Sequence, residues 1–452
     1  MDIVIIGDGK VGHKLAMQLS GEKYNVTLID KSERKLRDAV NEMDVSCVVG
    51  DGASADIQRQ ADVPGADLVI ACASTDEMNL FCCLLARKLG ARQTIARVRN
   101  PIYHNQIDLL KEDLKLSMAV NPERALAGEI SRVLIFPSAA KLETFVKGRV
   151  ELVEVTYPSH SSIEGLSLSE LYKKHQIKML VCAVQRDGAV YIPDGNFVPQ
   201  PGDKINITAS HPEIEKFLKL TKGIISKAKN VMICGGGRVA YYLGSQLLEL
   251  GMQVKIIEVD EKRCMELCDL LPKATIIHGN ATDHELLEEE GISKADAFVT
   301  LTGMDEENII MSMYAKSRHV PKVVTKVNDE GLQSMMDQLG MESVVSAKNV
   351  TANVITSYVR AMRNSMGSAN VETVYKLIGG KIEALEFRIR EKTRYTGIPL
   401  KNLKLKSNHL VACIVRNRRT IIPGGNDTLE VGDNVIVISM EQGLEDLQDI
   451  MR

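Results

Sequence analysis

Residues Gly7-Asp8-Gly9-Lys10-Val11-Gly12 follow the apolar run Ile3 to Ile6 and open a segment with Val11, Leu15 and Leu19 on one helical face. A G-x-G-x-x-G turn between a strand and a helix can hold a pyrophosphate. The first glycine permits the tight turn, the second lets the backbone approach the phosphates, and the third lets the helix close on the strand. The start of the helix offers free N–H groups and a partial positive charge to the same anion. Asp30 ends the next apolar run, "NVTLID". A carboxylate there can accept from adjacent ribose hydroxyls, and its charge repels a 2′-phosphate, which favours NAD or adenosine nucleotides over NADP.

The same pattern occurs a second time. Gly235-Gly236-Gly237-Arg238-Val239-Ala240 follows "NVMIC", and Glu258 supplies the acid. Alanine at the third position is within the allowed pattern. Thr302 and Gly303 stand where the first copy has Ala73 and Ser74, at the end of the fourth strand, where ligands of open α/β sheets sit. Lys326 stands where the first copy has Arg97, so a cation faces the same crevice in both copies, although lysine lacks arginine's bidentate fork.

Other chemistry is sparse. The nine cysteines have neither disulfide-framework nor zinc spacing and read as reduced, mostly buried thiols. His278 and His284 flank "GNATD" without a standard metal geometry. A dehydrogenase needs an acid/base that meets the nicotinamide, and no His-Asp or Tyr-Lys constellation stands out. No catalytic residue and no metal ligand are therefore assigned, and the chain reads as a binder rather than an enzyme. The rival reading is an NAD-dependent oxidoreductase, or a redox sensor, built from fused domains.

The elements that position these residues alternate short apolar strands with helix-period segments through the first hundred residues, as in a doubly wound parallel sheet. The pattern then repeats at a constant spacing. Gly7 matches Gly235, Gly9 matches Gly237, Asp30 matches Glu258, and one residue later in register Asp76 matches Asp305 and Asn79 matches Asn308. "IPDGNFVPQPGDKINITA" likewise matches "IPGGNDTLEVGDNVIVIS", each followed by an expected closing helix, "HPEIEKFLKL" and "EQGLEDLQDI". The expected fold class is α/β: two Rossmann-type parallel-sheet domains at 1–137 and 228–365 alternating with two small α+β domains at 138–222 and 369–452.

The chain has 452 residues, 44% of them hydrophobic, and a formal net charge of -3, which argues against bulk nucleic-acid binding. No apolar run approaches the roughly 18–20 residues of a membrane helix, and Met1 runs straight into a strand-like segment. A soluble cytoplasmic protein without a leader is expected.

Taken together, "GDGKVG…LID…VVGDGAS…ADLVIACASTDEMN…IARVRNP", the small "IPDGN…PGD" domain, and the repetition of both resemble the tandem-RCK family, RCK standing for regulator of conductance of potassium. Within it, the chain is similar over its full length to the regulatory subunits of bacterial Trk potassium-uptake systems. The resemblance implies a non-enzymatic regulator that binds NAD(H), and possibly ATP or ADP. It further implies a homo-oligomeric ring, typically a tetramer, peripheral at the inner face of the membrane through a TrkH-like potassium-conducting subunit. Carried over by position, the first site would use Gly7, Asp8, Gly9, Lys10 and Val11 on the phosphates, Asp30 on the ribose, Ala73 and Ser74 in the crevice, and Arg97 near the phosphates. The second would use Gly235, Gly237, Arg238, Val239, Glu258, Thr302 and Lys326. Asp51 in "GDGAS" and Asn280 in "GNATD" match the family's turn after the third strand, with Asn280 replacing the usual Asp. Segments 121–136 and 346–362 resemble the family's subunit-crossing helices; apolar stripes of this kind also serve as core.

Overall fold

The computed structural model describes residues 1–110, 113–135, 141–145, 150–159, 163–220, 228–339, 341, 343–366, 371–378, 381–417, 419–441, 443–444 and 446–452. The expected domain boundaries at 137/138, 222 and 369 lie outside these residues. The chain divides into two compact units, Met1–Ser131 with Asn230–Thr356 and Arg132–Lys229 with Ser357–Arg452.

In the first unit, each α/β copy is a parallel sheet of six strands. The first copy runs β1 Asp2–Ile6, α1 Lys10–Gly21, β2 Asn25–Asp30, α2 Glu33–Glu42, β3 Ser46–Val49, α3 Ala55–Gln60, β4 Leu68–Ala71, α4 Asp76–Leu89, β5 Gln93–Arg97, α5 Pro101–Leu110, β6 Met118–Val120 and the start of α6 Pro122–Ile135. Its strand order is β3-β2-β1-β4-β5-β6, so the order reverses between β1 and β4, and the crevice at that switch point is where ligands of open α/β sheets sit. The central strands are continuous apolar runs because helices cover both faces: Ile3, Val4, Ile5 and Ile6 are buried, as are all four residues of β4.

The small domains of the second unit are antiparallel. The first contains β7 Lys141–Phe145, β8 Val150–Thr156, α7 Leu168–His175, β9 Met179–Arg186, β10 Ala189–Tyr191, β11 Lys204–Ala209 and α8 His211–Leu220, with sheet order β10-β9-β11-β8-β7. The repeated Gly-Asp turns anchor these sheets. Arg186 donates bidentately to Asp203 at 2.8 and 2.6 Å, and Arg416 donates to Asp433 at 2.9 and 2.8 Å. Both aspartates are buried, so the fork-to-carboxylate match satisfies charges that would otherwise be costly there.

The second α/β copy follows in the first unit: β12 Asn230–Cys234, α9 Arg238–Glu249, β13 Gln253–Glu258, α10 Glu261–Leu270, β14 Thr275–His278, α11 His284–Glu289, β15 Ala297–Thr300, α12 Asp305–Ser317, β16 Lys322–Lys326, α13 Glu330–Gln338, β17 Val344–Val345 and the start of α14 Ala347–Met366. Its order, β14-β13-β12-β15-β16-β17, repeats the first. In the second unit, β18 Val371–Leu377, β19 Ile382–Arg388, β20 His409–Arg416, β21 Arg419–Ile421 and β22 Asn434–Ser439 repeat the small sheet. The two small sheets share one core in which Leu152, Cys182 and Ala183 pack with Ile382, Ala384, Cys413 and Ile436. The duplicated α/β-plus-small architecture expected above is what folds.

One expectation is corrected. "EQGLEDLQDI" does not repeat helix α8; its described residues form only a 3-10 turn, Leu447–Ile450, which Asp446 caps. Gly443 takes φ 79, a left-handed conformation that breaks a helix, and the Asp446 cap starts the turn anew.

The two α/β copies also interlock. Gln18 of α1 bonds Asn353 at 3.3 Å and Thr356 at 3.2 Å on α14, and Asn121, just before α6, donates to Tyr242 of α9 at 3.0 Å. These bonds join the two α/β copies of one chain. Among the described residues, no helix is long and apolar enough to cross a membrane.

Candidate nucleotide sites

The first glycine turn is shaped by contacts that only glycine allows at two of its three positions. Gly7 takes φ 101, and a Cβ there would lie 2.9 Å from the Ala73 nitrogen. A Cβ on Gly12 would lie 1.9 Å from the Gly7 carbonyl oxygen. Gly9 is different: its φ of -87 and ψ of -176 suit any residue, and a Cβ there would meet nothing within 4 Å. The chain itself does not require glycine at 9. The open space before the N-terminus of α1 leaves the backbone bare where an anion would approach.

Asp30 stands beside this turn with both carboxylate oxygens braced. Asp8 N–H donates to Oδ2 at 2.8 Å and Ser32 N–H donates to Oδ1 at 2.8 Å, which orients the group and leaves further lone pairs for ribose hydroxyls. The ends of β4 and β5 are stapled by Asn79. Its Oδ1 accepts from Ala73 N–H at 2.6 Å, and its Nδ2 donates to the Arg97 carbonyl at 2.9 Å. Arg97 in turn donates to the Ala73 carbonyl at 2.6 Å, while its Nε is buried and unbonded. Asp51 accepts from Ala53 N–H at 3.1 Å and pairs with Lys31 at 2.9 Å, an interaction that holds its carboxyl below the usual range.

Of the residues singled out in the first copy, Gly7, Gly9, Asp30, Asp51, Ala73, Ser74 and Arg97 line one cavity of about 340 Å³. Lys31, Lys35, Met78 and Cys82 are among the other residues that line it. Burial pushes the Cys72 thiol up to about 11 and the Cys82 thiol up to about 12, so these thiols line the wall as neutral groups. Val11 is buried on α1 and does not line the cavity. Asp8 is also buried, bonded through its side chain to His13 at 3.0 Å, and burial raises its pKa. Asp8 and Lys10 instead line a cleft of about 830 Å³ that runs between the two α/β copies to Asp305, Asp329 and Glu330.

The second copy builds the same frame with different groups. Gly235 takes φ 94, and Gly237 has open space where a Cβ would stand. Glu258 accepts from Gly236 N–H at 2.5 Å and from Asp260 N–H at 2.9 Å, the bracing seen at Asp30. Asn308 repeats the Asn79 staple between Thr302 and Lys326, at 3.0 Å to each backbone. Lys326 donates to the Thr302 carbonyl at 2.7 Å. Burial holds its ammonium below the usual lysine range; Asp305 opposes that shift and the Lys10 charge adds to it. Arg238 is exposed at the start of α9, Val239 is half-buried in its first turn, and Asn280 is exposed on the turn after β14. Arg263 donates to the Gly236 carbonyl at 2.8 Å, a contact the sequence did not single out. His278 and His284 are engaged apart from each other, one with the Val259 carbonyl and the other stacked on Tyr314 at 3.8 Å.

The Asn79 and Asn308 staples were visible only as matched positions in the duplication. Their role emerges from three-dimensional closure, because each asparagine bonds the ends of two strands that lie apart in sequence.

Duplicated doubly wound α/β copies with braced glycine turns, alternating with small antiparallel domains, define a tandem RCK-type protein. Residues 3–122 and 231–347 match the TrkA-N domain, and residues 152–222 and 384–452 match the TrkA-C domain. The Trk system potassium uptake protein TrkA homolog of Archaeoglobus fulgidus is 31% identical over 454 residues, covering 100% of both chains. The Trk system potassium uptake protein TrkA of Halomonas elongata is 30% identical over 98% of this chain and 96% of its own. Among solved structures, the GsuK RCK domain superposes with a TM-score of 0.63 at 18% identity, over 97% of this chain and 92% of that one, a likeness of fold. The chain belongs to the TrkA family of Trk potassium-uptake proteins.

Proposed function

We propose that this chain is the regulatory subunit of a potassium-uptake system, binding NAD(H) or adenine nucleotides in its α/β copies and passing their occupancy to a membrane-embedded, TrkH-like potassium-conducting subunit. The observation that carries this reading is the convergence of Gly9, Asp30, Asp51 and Arg97 on one cavity. Gly9 is glycine without an internal reason, and the Arg97 guanidinium, whose Nε has no partner, lines the same cavity. A relative of the same fold is described as the GsuK channel bound to NAD, which is consistent with such a site. Gly7, Gly9 and the start of α1 would hold the pyrophosphate, Asp30 the ribose, and Arg97 the outer phosphate oxygens.

The polar lining of the cavity binds and orients: backbone or ion-pair partners fix the direction of Asp30, Asp51 and Arg97 and leave each with capacity for a ligand. We read the chain as a sensor rather than an enzyme, in keeping with its membership of the TrkA family. Ligand binding biases one arrangement of the paired α/β copies, by as much as its affinities for the two arrangements differ. Exposed apolar residues repeat on the same helices in both copies, Phe81 on α4 at 51% and Ile310 on α12 at 60%, and they suit a homo-oligomeric ring at the cytoplasmic face of the membrane.

The test is calorimetric titration with NADH, NAD, ADP and ATP, repeated on Asp30→Ala and Glu258→Ala. Two separable binding events, each lost with its own acid, support the reading, as does loss of nucleotide-dependent potassium uptake in Gly9→Ala. Steady oxidation of NADH by the purified protein, or uptake that responds to nucleotide after Gly9→Ala has abolished binding, contradicts it.

A further inference from the structure

The turn after the third strand is built alike in the two copies, but the group it presents differs. Gly50 N–H donates to the Asp30 carbonyl at 3.0 Å, and Gly279 N–H donates to the Glu258 carbonyl at 2.9 Å, so each turn hangs on the residue that carries the ribose acid. Ser54 N–H then closes onto the Asp51 carbonyl at 2.8 Å, and Asp283 N–H onto the Asn280 carbonyl at 3.0 Å. Within that common frame, Ala53 N–H donates to Asp51 Oδ1 at 3.1 Å. Thr282 N–H donates to Asn280 Oδ1 at 3.0 Å, and the Thr282 hydroxyl donates to the same oxygen at 2.9 Å. A backbone N–H can only donate, so the amide oxygen of Asn280 must face it. What each turn presents to a ligand is opposite in the two copies: on Asp51 a carboxylate that can only accept, its Oδ2 paired with Lys31 at 2.9 Å and keeping a further lone pair, and on Asn280 the two donors of Nδ2.

Asp51 lines the same cavity as Gly9 and Asp30, and Asn280 holds the matching position on the turn of the second copy. With the pyrophosphate at the glycine turn and the ribose on its acid, the base continues past the acid. In the first copy the cavity that holds Gly9 and Asp30 is also lined by Lys31, Gly50, Gly52, Met78 and Cys82, which would surround the base. Asp51 is the carboxylate of that lining besides the ribose acid Asp30. An acceptor there complements the 6-amino group of adenine and opposes a 6-oxo group. Amide donors complement the 6-oxo group of guanine or hypoxanthine and oppose a 6-amino group. The Lys31 partner of Asp51 is also missing from the second copy, where the matching residue is Val259.

We infer that the second nucleotide site takes a 6-oxopurine nucleotide in preference to an adenine nucleotide, with Asn280 the residue that determines this specificity. The inference rests on the reading of both α/β copies as nucleotide sites. A donor set against a donor leaves one hydrogen bond unmade, which at an exposed position is worth about a five- to tenfold difference in affinity.

The experiment is calorimetric titration of the full-length protein with ADP, GDP and IDP, on the wild type, on Asp30→Ala, and on Asp30→Ala combined with Asn280→Asp. IDP shares the 6-oxo group of GDP but lacks its 2-amino group, so agreement between the two isolates the 6-position. The expected result is that Asp30→Ala binds GDP and IDP about five- to tenfold tighter than ADP and that Asn280→Asp reverses the order. Asp can still accept from Thr282 N–H, so the turn is retained, and the difference between wild-type and Glu258→Ala titrations reads the second site should Asp30→Ala fold poorly. ADP binding as tight as GDP and IDP at the second site, or an order unchanged by Asn280→Asp, overturns the inference alone. Absence of nucleotide binding at either copy overturns the functional reading with it.

Discussion

Gly9→Ala and Gly12→Ala separate a glycine kept for a ligand from a glycine kept for the fold. At position 9 the backbone dihedrals already suit alanine, and the added methyl meets nothing within 4 Å. Gly9 is the N-cap of α1, where alanine is poorer than glycine by roughly 0.5 kcal/mol. Alanine also narrows the unfolded ensemble, which stabilises by about 0.4–1 kcal/mol, so the two effects nearly cancel. Gly9→Ala should therefore shift Tm by less than about 3 °C, given a few degrees per kcal/mol for domains of this size. The same methyl stands between the bare backbone and an approaching pyrophosphate. Losing one charge-assisted hydrogen bond costs about 1.5–3 kcal/mol, or roughly a 10- to 100-fold rise in Kd for NADH. At position 12 the methyl would sit 1.9 Å from the Gly7 carbonyl oxygen, a backbone atom that cannot swing away. Overpacking of this kind costs about 1–3 kcal/mol or more, and Tm should fall clearly. Differential scanning fluorimetry with and without NADH, beside calorimetry, measures both quantities. A Gly9→Ala protein that binds NADH like the wild type, or that loses as much thermal stability as Gly12→Ala, would refute the assignment of Gly9 to a ligand.

Other perturbations follow from the same geometry. Asn79→Ala removes the staple between β4 and β5 and leaves the Ala73 N–H unpaired, so stability should fall by about 1–3 kcal/mol in chemical denaturation; an unchanged midpoint would count against the staple. Phe81→Asp combined with Ile310→Asp should lower the oligomeric state in sedimentation velocity without lowering Tm, because both side chains are exposed within the chain. Lys326 has its folded pKa below the usual 10.5 because burial disfavours its charge, so its stability penalty is full below the folded pKa and fades as pH rises towards 10.5. Lys326→Met should accordingly raise Tm at neutral pH in the absence of nucleotide, yet weaken nucleotide binding at the second copy. A phosphate beside Lys326 favours the charged form, so binding there should take up protons in alkaline buffer; calorimetry in two buffers of different ionisation heat reads that uptake, and proton release would contradict the placement.

The fold was legible because duplication and periodicity act locally. The buried strands β1 and β4 are continuous apolar runs, and the helices between them carry a single apolar stripe, so each element announces itself within a few residues. The repeat of Gly7 and Asp30 as Gly235 and Glu258 then set the order of elements twice. What periodicity could not resolve was any feature decided by closure between distant segments. The second closing helix was misread because its apolar spacing resembles α8, whereas the left-handed Gly443 and the Asp446 cap reduce it to a single turn. The brace from Asp8 N–H to Asp30, and the staples of Asn79 and Asn308, join residues that no spacing rule connects.

Position matching also treats a duplicated turn as a duplicated function, and the two halves of this chain argue against that. The backbone frame is held constant: Gly7 and Gly235 take φ 101 and 94, and Asp30 and Glu258 are each braced by two N–H groups. The changes fall on side chains that the frame positions at its strand ends and turns. Arg97 becomes Lys326, exchanging a fork for a point charge, and Asp51 becomes Asn280, exchanging an acceptor for donors. The fold itself holds part of this frame, because a Cβ on Gly235 would lie 3.0 Å from the Thr302 nitrogen, so the lining is where the two copies can differ. On the proposed function, a common frame with an altered lining suits two sites that take different nucleotides, and the titrations of Asp30→Ala against Glu258→Ala distinguish that pair from one sensor with a spare.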